Sequence, residues 1–168
     1  MNRLATLCIL LLFSGSLAAQ SGRPPGYREW FVFALGKGYG RYEVSASASY
    51  NFGIKRLYQV GLYGVSEFSL GNNPDGVGAA TVAFGLWRHH DRAFDAALFT
   101  GPALVGIQQE NSSGRGHREW HTVGLLVNAQ GVFRLVTEIA VGVNAFAILN
   151  AHDSAMGLGV ALQFGNGR

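Results

Sequence analysis

Between residues 42 and 52 every second side chain is apolar: Tyr42, Val44, Ala46, Ala48, Tyr50 and Phe52 alternate with Glu43, Ser45, Ser47, Ser49 and Asn51. A period of two is the signature of a strand with unlike faces. The same alternation predicts a strand over 156–164, where Met156, Leu158, Val160, Leu162 and Phe164 are interleaved with Gly157, Gly159, Ala161 and Gln163. It returns over 137–149, with Ile139, Val141, Val143, Ala145, Ala147 and Leu149 set against Glu138, Ala140, Gly142 and Asn144. Over 120–130, Val123, Leu125, Val127 and Ala129 face away from Thr122, Gly124, Asn128 and Gln130, and Leu126 breaks the pattern. Less regular strands are predicted over 29–36, 57–68, 77–87 and 94–108. Pro102 in the last of these has no amide hydrogen, which implies a bulge or weak pairing.

The total is eight strands, joined by connectors at 37–41, 53–56, 69–76, 88–93, 109–119, 131–134 and 150–153. An even number of antiparallel strands closes into an up-and-down barrel that begins and ends on one side of a membrane. If the first strand runs outward, the third and fifth connectors, 69–76 and 109–119, face the exterior and include the longest, the expected asymmetry. A soluble barrel would keep its large apolar groups inside, whereas a transmembrane barrel turns them out. The alternate face decides between the two: it is made of Ser, Gly, Ala, Thr and Asn, bland for a water-facing wall and suited to a narrow interior. Composition agrees, with 48% hydrophobic residues against 14% charged. Closure also pairs every backbone donor and acceptor, as hydrocarbon requires. Trp30, Trp87 and Trp120 fall at predicted strand ends, near Tyr42, Phe52, Tyr58, Phe68, Phe94 and Phe164, and are expected in interfacial girdles.

Residues 1–20 have the form of a signal peptide: Arg3, an apolar run from Leu4 to Phe13, then the small residues Ser16, Ala18 and Ala19. The apolar run is about ten residues, half of what a spanning helix needs. This leaves 21–168 as the barrel domain. Cys8 lies within the signal, so the exported chain is expected to carry no disulfide. A net charge of +3 without a dense basic patch gives no reason to expect nucleic acid.

On these strands the chain resembles the small eight-stranded outer-membrane β-barrels of Gram-negative bacteria, the type of the OmpA transmembrane domain and OmpX. The segment from Gly157 to Phe164 is similar to the C-terminal signal read by the barrel-assembly machinery, with Gly159, Leu162 and Phe164 at matching positions. Gly157 stands at the usual polar position, and Asn166, Gly167 and Arg168 follow the aromatic residue. The resemblance implies an integral outer-membrane protein whose partners are outer-membrane lipid and, during biogenesis, that machinery. Eight strands leave room only for side chains, so a general diffusion porin is not expected.

Candidate chemistry lies in the inward set. Glu43 and Glu67 are expected nearly opposite each other close to the outer mouth, as a cation site or as a rim pair neutralised by Lys37 or Arg41. Glu138 is expected inside, neutralised by Arg134 or Arg88, and Asn128, Asn144 and Gln163 are expected as further interior polar groups. His117 and His121 lack the third ligand a zinc site needs. In the lipid A deacylases a strand carries His-x-Ser; here His121-Thr122-Val123 has Val in place of Ser. His152-Asp153-Ser154 has triad residue types but no relay geometry, and reads as a polar loop. Gly36-Lys37-Gly38-Tyr39-Gly40 is followed by no helix and reads as a hairpin loop. No cofactor is implied and no catalytic set is assigned. The expected role is structural or surface-interactive. The alternatives are a lipid-modifying enzyme of the outer membrane and a secreted soluble barrel holding a hydrophobic ligand.

Overall fold

A computed structural model describes residues 29–39, 42–53, 58–68, 75–90, 93–110 and 117–166, so the expected signal peptide lies outside the described residues. The alternating segments form eight strands: β1 (Glu29–Tyr39), β2 (Val44–Gly53), β3 (Tyr58–Phe68), β4 (Gly76–His90), β5 (Phe94–Glu110), β6 (His117–Val136), β7 (Ile139–Leu149) and β8 (Ala155–Asn166). Each pairs antiparallel with the next, and β8 pairs with β1 from Asn166↔Glu29 to Met156↔Tyr39, closing the barrel. Among the described residues every strand is therefore paired with a neighbour on each side over at least part of its length. Three connections at one end are short, 54–57, 91–93 and 137–138; those at the opposite end span 40–43, 69–75, 111–116 and 150–154. These are called the turn end and the loop end.

Alternation translates directly into two walls. Ser45, Ser47, Ser49 and Asn51 of β2 are buried in the lumen, as are Ala161 and Gln163 of β8 and Asn144 of β7. Leu35, Val82, Leu98, Leu104, Val143, Leu158, Val160 and Leu162 are exposed on the outer wall. Leu126, the exception to its strand's alternation, turns inward and is fully buried. Closure brings some backbones very near one another. Gly36 and Gly159 face each other across the β1–β8 seam, and a Cβ on Gly159 would lie 2.5 Å from the Leu35 carbonyl oxygen. Only glycine fits there.

Pro102 does interrupt a ladder. Pairing of β4 with β5 lapses between Thr81↔Ala103 and Phe84↔Thr100 and resumes in the same register. The Thr81 hydroxyl donates to the Pro102 carbonyl beside the gap.

The structure departs from the sequence reading at β6. Residues 131–134 are not a connector: the strand continues to Val136, and Thr137 and Glu138 make the turn. Gly131 suggested a loop, but its partner Val143 extends the β7 ladder, and the missing Cβ of Gly142 next to it lets the two backbones close up. The register shifts between Arg134 and Val136, leaving Leu135 and Val136 both exposed as in a bulge. Glu138 is therefore an exposed turn residue and not an interior one.

The tryptophans also differ from expectation. Trp30 and Trp87 are 2% and 3% exposed, inside the lumen and not in an outer girdle. Trp120 lies opposite Ile107 on the same inner face and packs against the core. Their strand positions have inward parity, and burial of a large ring outweighs any interfacial preference. Phenylalanines occupy the outer turn-end rim instead: Phe94 faces Phe133 across the β5–β6 pair, and both are exposed, as is Phe164. The lumen is thus a mixed core, with Val32, Phe99, Val105, Ile107, Phe146 and Ile148 beside the polar groups.

Candidate functional site

The inward set builds three layers along the barrel axis. At the turn end, β1 carries Trp30 and β4 carries Trp87, whose rings stack across the lumen at 5.7 Å between centroids and 29° between planes. Beside them Asp95, near the start of β5, and Arg134, near the end of β6, form a buried ion pair. Arg134 also donates through Nη1 to the Thr137 carbonyl, 3.1 Å away, tying the turn to the charge inside it. A lone buried charge is expensive, so each member stabilises the other's burial.

In the middle a side-chain relay crosses the lumen. Gln130 Nε2 donates to Asn128 Oδ1 (3.0 Å), Asn128 Nδ2 to Asn144 Oδ1 (2.9 Å), and Asn144 Nδ2 to Ser47 Oγ (2.9 Å). The relay runs along the neighbouring strands β6 and β7, and its last bond crosses the lumen to β2. On β2, Asn51 Nδ2 donates to Ser49 Oγ at 3.0 Å. Buried amides with partners fix the packing around them, because the alternative is desolvation without compensation.

The loop end is fastened by one carboxylate. Asn150 opens an Asx turn: its Oδ1 accepts from the His152 and Asp153 amides at 2.8 and 2.9 Å. That turn holds Asp153 so that its Oδ2 accepts from the Tyr42 hydroxyl (2.6 Å) and from Gln109 Nε2 (3.3 Å). Two connections, 40–43 and 150–154, and the loop-end tip of β5 converge on it. Tyr42, expected on the outer wall, is consequently buried, because the chain bends before β2 begins.

The remaining candidates do not converge. Register sets Glu67 opposite Ser45, so Glu43, which is exposed, lies diagonal to it and not across from it. The Glu67 side chain lies outside the described ones. His121 is exposed on the outer wall, and a strand separates it from residue 117 by about 13 Å, too far to share one metal ion. Among the described residues no three metal-ligating side chains cluster. His152 and Ser154 are exposed while Asp153 is drawn toward the mouth, so they form no relay. Gly36-Lys37-Gly38-Tyr39 belongs to β1. Asn128, Asn144 and Gln163 are buried in the lumen. Gly159 faces the interior, and Leu162 and Phe164 face outward from β8.

Two features escaped the sequence reading. Asp95 sits between the outward Phe94 and the half-buried Ala96 of an alternating stretch. A lone inward acid in such a stretch implies a counter-charge, and that signal was present. The Tyr42–Asp153 contact joins residues 111 apart and has no local signature.

Closure, eight strands and an apolar outer wall define the class: a small up-and-down barrel of inverted polarity. No family model matches the chain, and no curated protein resembles it in sequence. Solved structures do resemble it in fold. Neisserial surface protein A shares a TM-score of 0.61 at 9% identity, over 83% of this chain and 96% of that one. The N-terminal β-barrel domain of Pseudomonas aeruginosa OprF gives 0.58 at 10% identity, over 82% and 97%. Ail, the attachment invasion locus protein of Yersinia pestis, in complex with the heparin analogue sucrose octasulfate, gives 0.56 at 9% identity, over 83% and 96%. At such identities the likeness is one of fold.

Proposed function

We propose that the protein is an integral outer-membrane barrel, with the turn end in the periplasm and the loop end outside, that acts through its surface and not through a pore or a catalytic site. The observation that carries this reading is the inverted polarity. Val123 is 74% exposed and Val160 62%, whereas Asn128, Asn144 and Gln163 are buried. In water that wall would be a large apolar patch of the kind soluble monomers rarely expose. In lipid it is the favourable arrangement. The stacked tryptophans, the ion pair and the amide relay fill the bore, which argues against a diffusion channel. Among the described side chains, Glu43 stands next to β2 and His121 on β6, well-separated strands, which argues against a lipid-modifying enzyme. Folds of this shape include proteins named for surface and attachment roles, and the long loop-end hairpin suits such a role here. Gly159, Leu162 and Phe164 remain our candidates for recognition by the assembly machinery, with outer-membrane lipid as the standing partner.

Membrane fractionation with comparison of heated and unheated gel mobility tests the location. Recovery in the outer membrane with a heat-dependent shift is expected. Release into the soluble periplasm without detergent would overturn the reading and favour a soluble barrel.

A further inference from the structure

One row of the sheet crosses five strands near the turn end. Ser49 on β2 pairs with Val32 on β1, Val32 with Gln163 on β8, Gln163 with Ala140 on β7, and Ala140 with Arg134 on β6. All five side chains are buried in the lumen. Asn51 is the next inward residue of β2, one step closer to the turn end than Ser49.

Two atoms of this layer are shut off from solvent and unmatched: Asn51 Oδ1, an acceptor, and Arg134 Nε, a donor. Asn51 already donates through Nδ2 to Ser49 Oγ at 3.0 Å and to the Trp30 carbonyl at 3.5 Å. Reversing its amide would set Oδ1 against that carbonyl, acceptor against acceptor. Arg134 spends Nη2 on Asp95 and Nη1 on the Thr137 carbonyl, which fixes where Nε points. Between the two stands Gln163, 2% exposed, whose amide has no hydrogen-bond partner among the described residues. Buried polar groups of this kind are seldom left without a partner.

The row also has room. Gln163 and Arg134 are two strand spacings apart, about 10 Å, and only the methyl of Ala140 projects between them. Trp30 and Trp87 rise from β1 and β4 and stack on each other, which leaves the β6–β8 wall of the layer to the polar side chains. We infer that this recess over Ala140 is a binding site for water, which joins Arg134 to Gln163 and Gln163 to Asn51.

The donors and acceptors select that ligand. It must accept from Arg134 Nε and donate to Asn51 Oδ1. It carries no net charge, because Asp95 already matches Arg134: an anion would face Asp95 and Asn51 Oδ1, and a cation would face the guanidinium. Water satisfies each condition, and a buried water makes about three hydrogen bonds. One molecule takes the Nε proton and donates to Gln163 Oε1. A second takes a proton from Gln163 Nε2 and donates to Asn51 Oδ1. The site thereby ties β2, β8 and β6 together across the seam where β1 meets β8, with Gln163 as its positioning residue.

The test uses the purified mature barrel in lipid nanodiscs, deuterated except at alanine and valine methyls. Cross-relaxation from water to the Ala140 methyl is expected, with the sign of a bound and not a passing molecule. Xenon under pressure should leave the Ala140 and Val32 methyl shifts unchanged, since a wet polar recess does not take up an apolar gas. Gln163→Met keeps the length of the side chain and removes its donor and acceptor. The Ala140 signal should weaken in that variant by at least about fivefold, the factor that one hydrogen bond is worth, with the heat-dependent mobility shift retained. A parent barrel without the Ala140 signal, a xenon-induced shift there, or an undiminished signal in folded Gln163→Met would overturn the site. If Gln163→Met does not close, the water and xenon readings on the parent decide. The site lies inside the cylinder, so its failure leaves the membrane reading standing.

Discussion

Val160 is the sixth of the twelve residues of β8, and its cross-strand neighbours Val143 and Leu35 are exposed on the same outer wall. Twelve residues at about 3.3 Å, tilted by about 40°, rise about 30 Å, slightly more than the roughly 25 Å apolar band of such barrels. Val160 therefore lies near the midplane, while Met156 and Phe164 lie toward the rims. Val160→Arg should cost about 2 to 4 kcal/mol there, and the same change at Met156 or Phe164 about 0 to 1. The midplane cost corresponds to a loss of about 30-fold to about 900-fold in the folding equilibrium constant. A series of Arg substitutions at Met156, Leu158, Val160, Leu162 and Phe164, unfolded in urea from lipid vesicles and scored by unheated gel mobility, should trace a peak centred on Val160. A water-facing wall would instead keep all five within about 0.5 kcal/mol. A flat profile would refute the orientation of β8 and the membrane span worked out from it.

Three further outcomes follow from the lumen and the seam. Asp95→Ala leaves the Arg134 guanidinium buried without its carboxylate and should destabilise by about 3 to 5 kcal/mol, while Asp95→Leu with Arg134→Met should recover most of that loss in the same urea assay. A double variant no more stable than Asp95→Ala would show that the pair is not what the substitution breaks. Removing both rings of the turn-end stack, Trp30→Ala with Trp87→Ala, should raise the ion current in planar bilayers above that of the parent barrel; unchanged current would mean that another layer seals the bore. Gly159→Val should abolish the heat-dependent mobility shift, since its side chain would meet the backbone of Leu35 across the closing seam. Normal closure of that variant would contradict the close approach.

The parts of the fold that could be read from the residues are those where the two faces differ in kind. In β2 and β8, small or polar residues alternate with aromatic and aliphatic ones without exception, so the orientation of each strand follows from one period. Reading failed where one residue type serves either face. Tryptophan at a strand end fits a lipid girdle or a luminal plug equally well in sequence, and only the parity of Trp30 and Trp87 against their neighbours in space decides for the plug. Polar groups near a chain reversal mislead in the same way. Arg134 looked like a loop residue because its counter-charge, Asp95, lies 39 residues earlier on the adjoining strand. Glu138 was then placed one register step too deep, since a bulge at Leu135 has no sequence mark. The Asp153 clasp is a consequence of relative strand length. That quantity is set by pairing between distant segments and not by any one of them.

The most direct test of the account is which side chains touch acyl chains. In nanodiscs, cross-relaxation between lipid methylene protons and protein methyl groups should appear for Leu35, Val143, Val160 and Leu162. It should be absent for Ala161, Leu126 and Ile148. Lipid contacts at the second set, or their absence from the first, would mean that the wall has been assigned inside out.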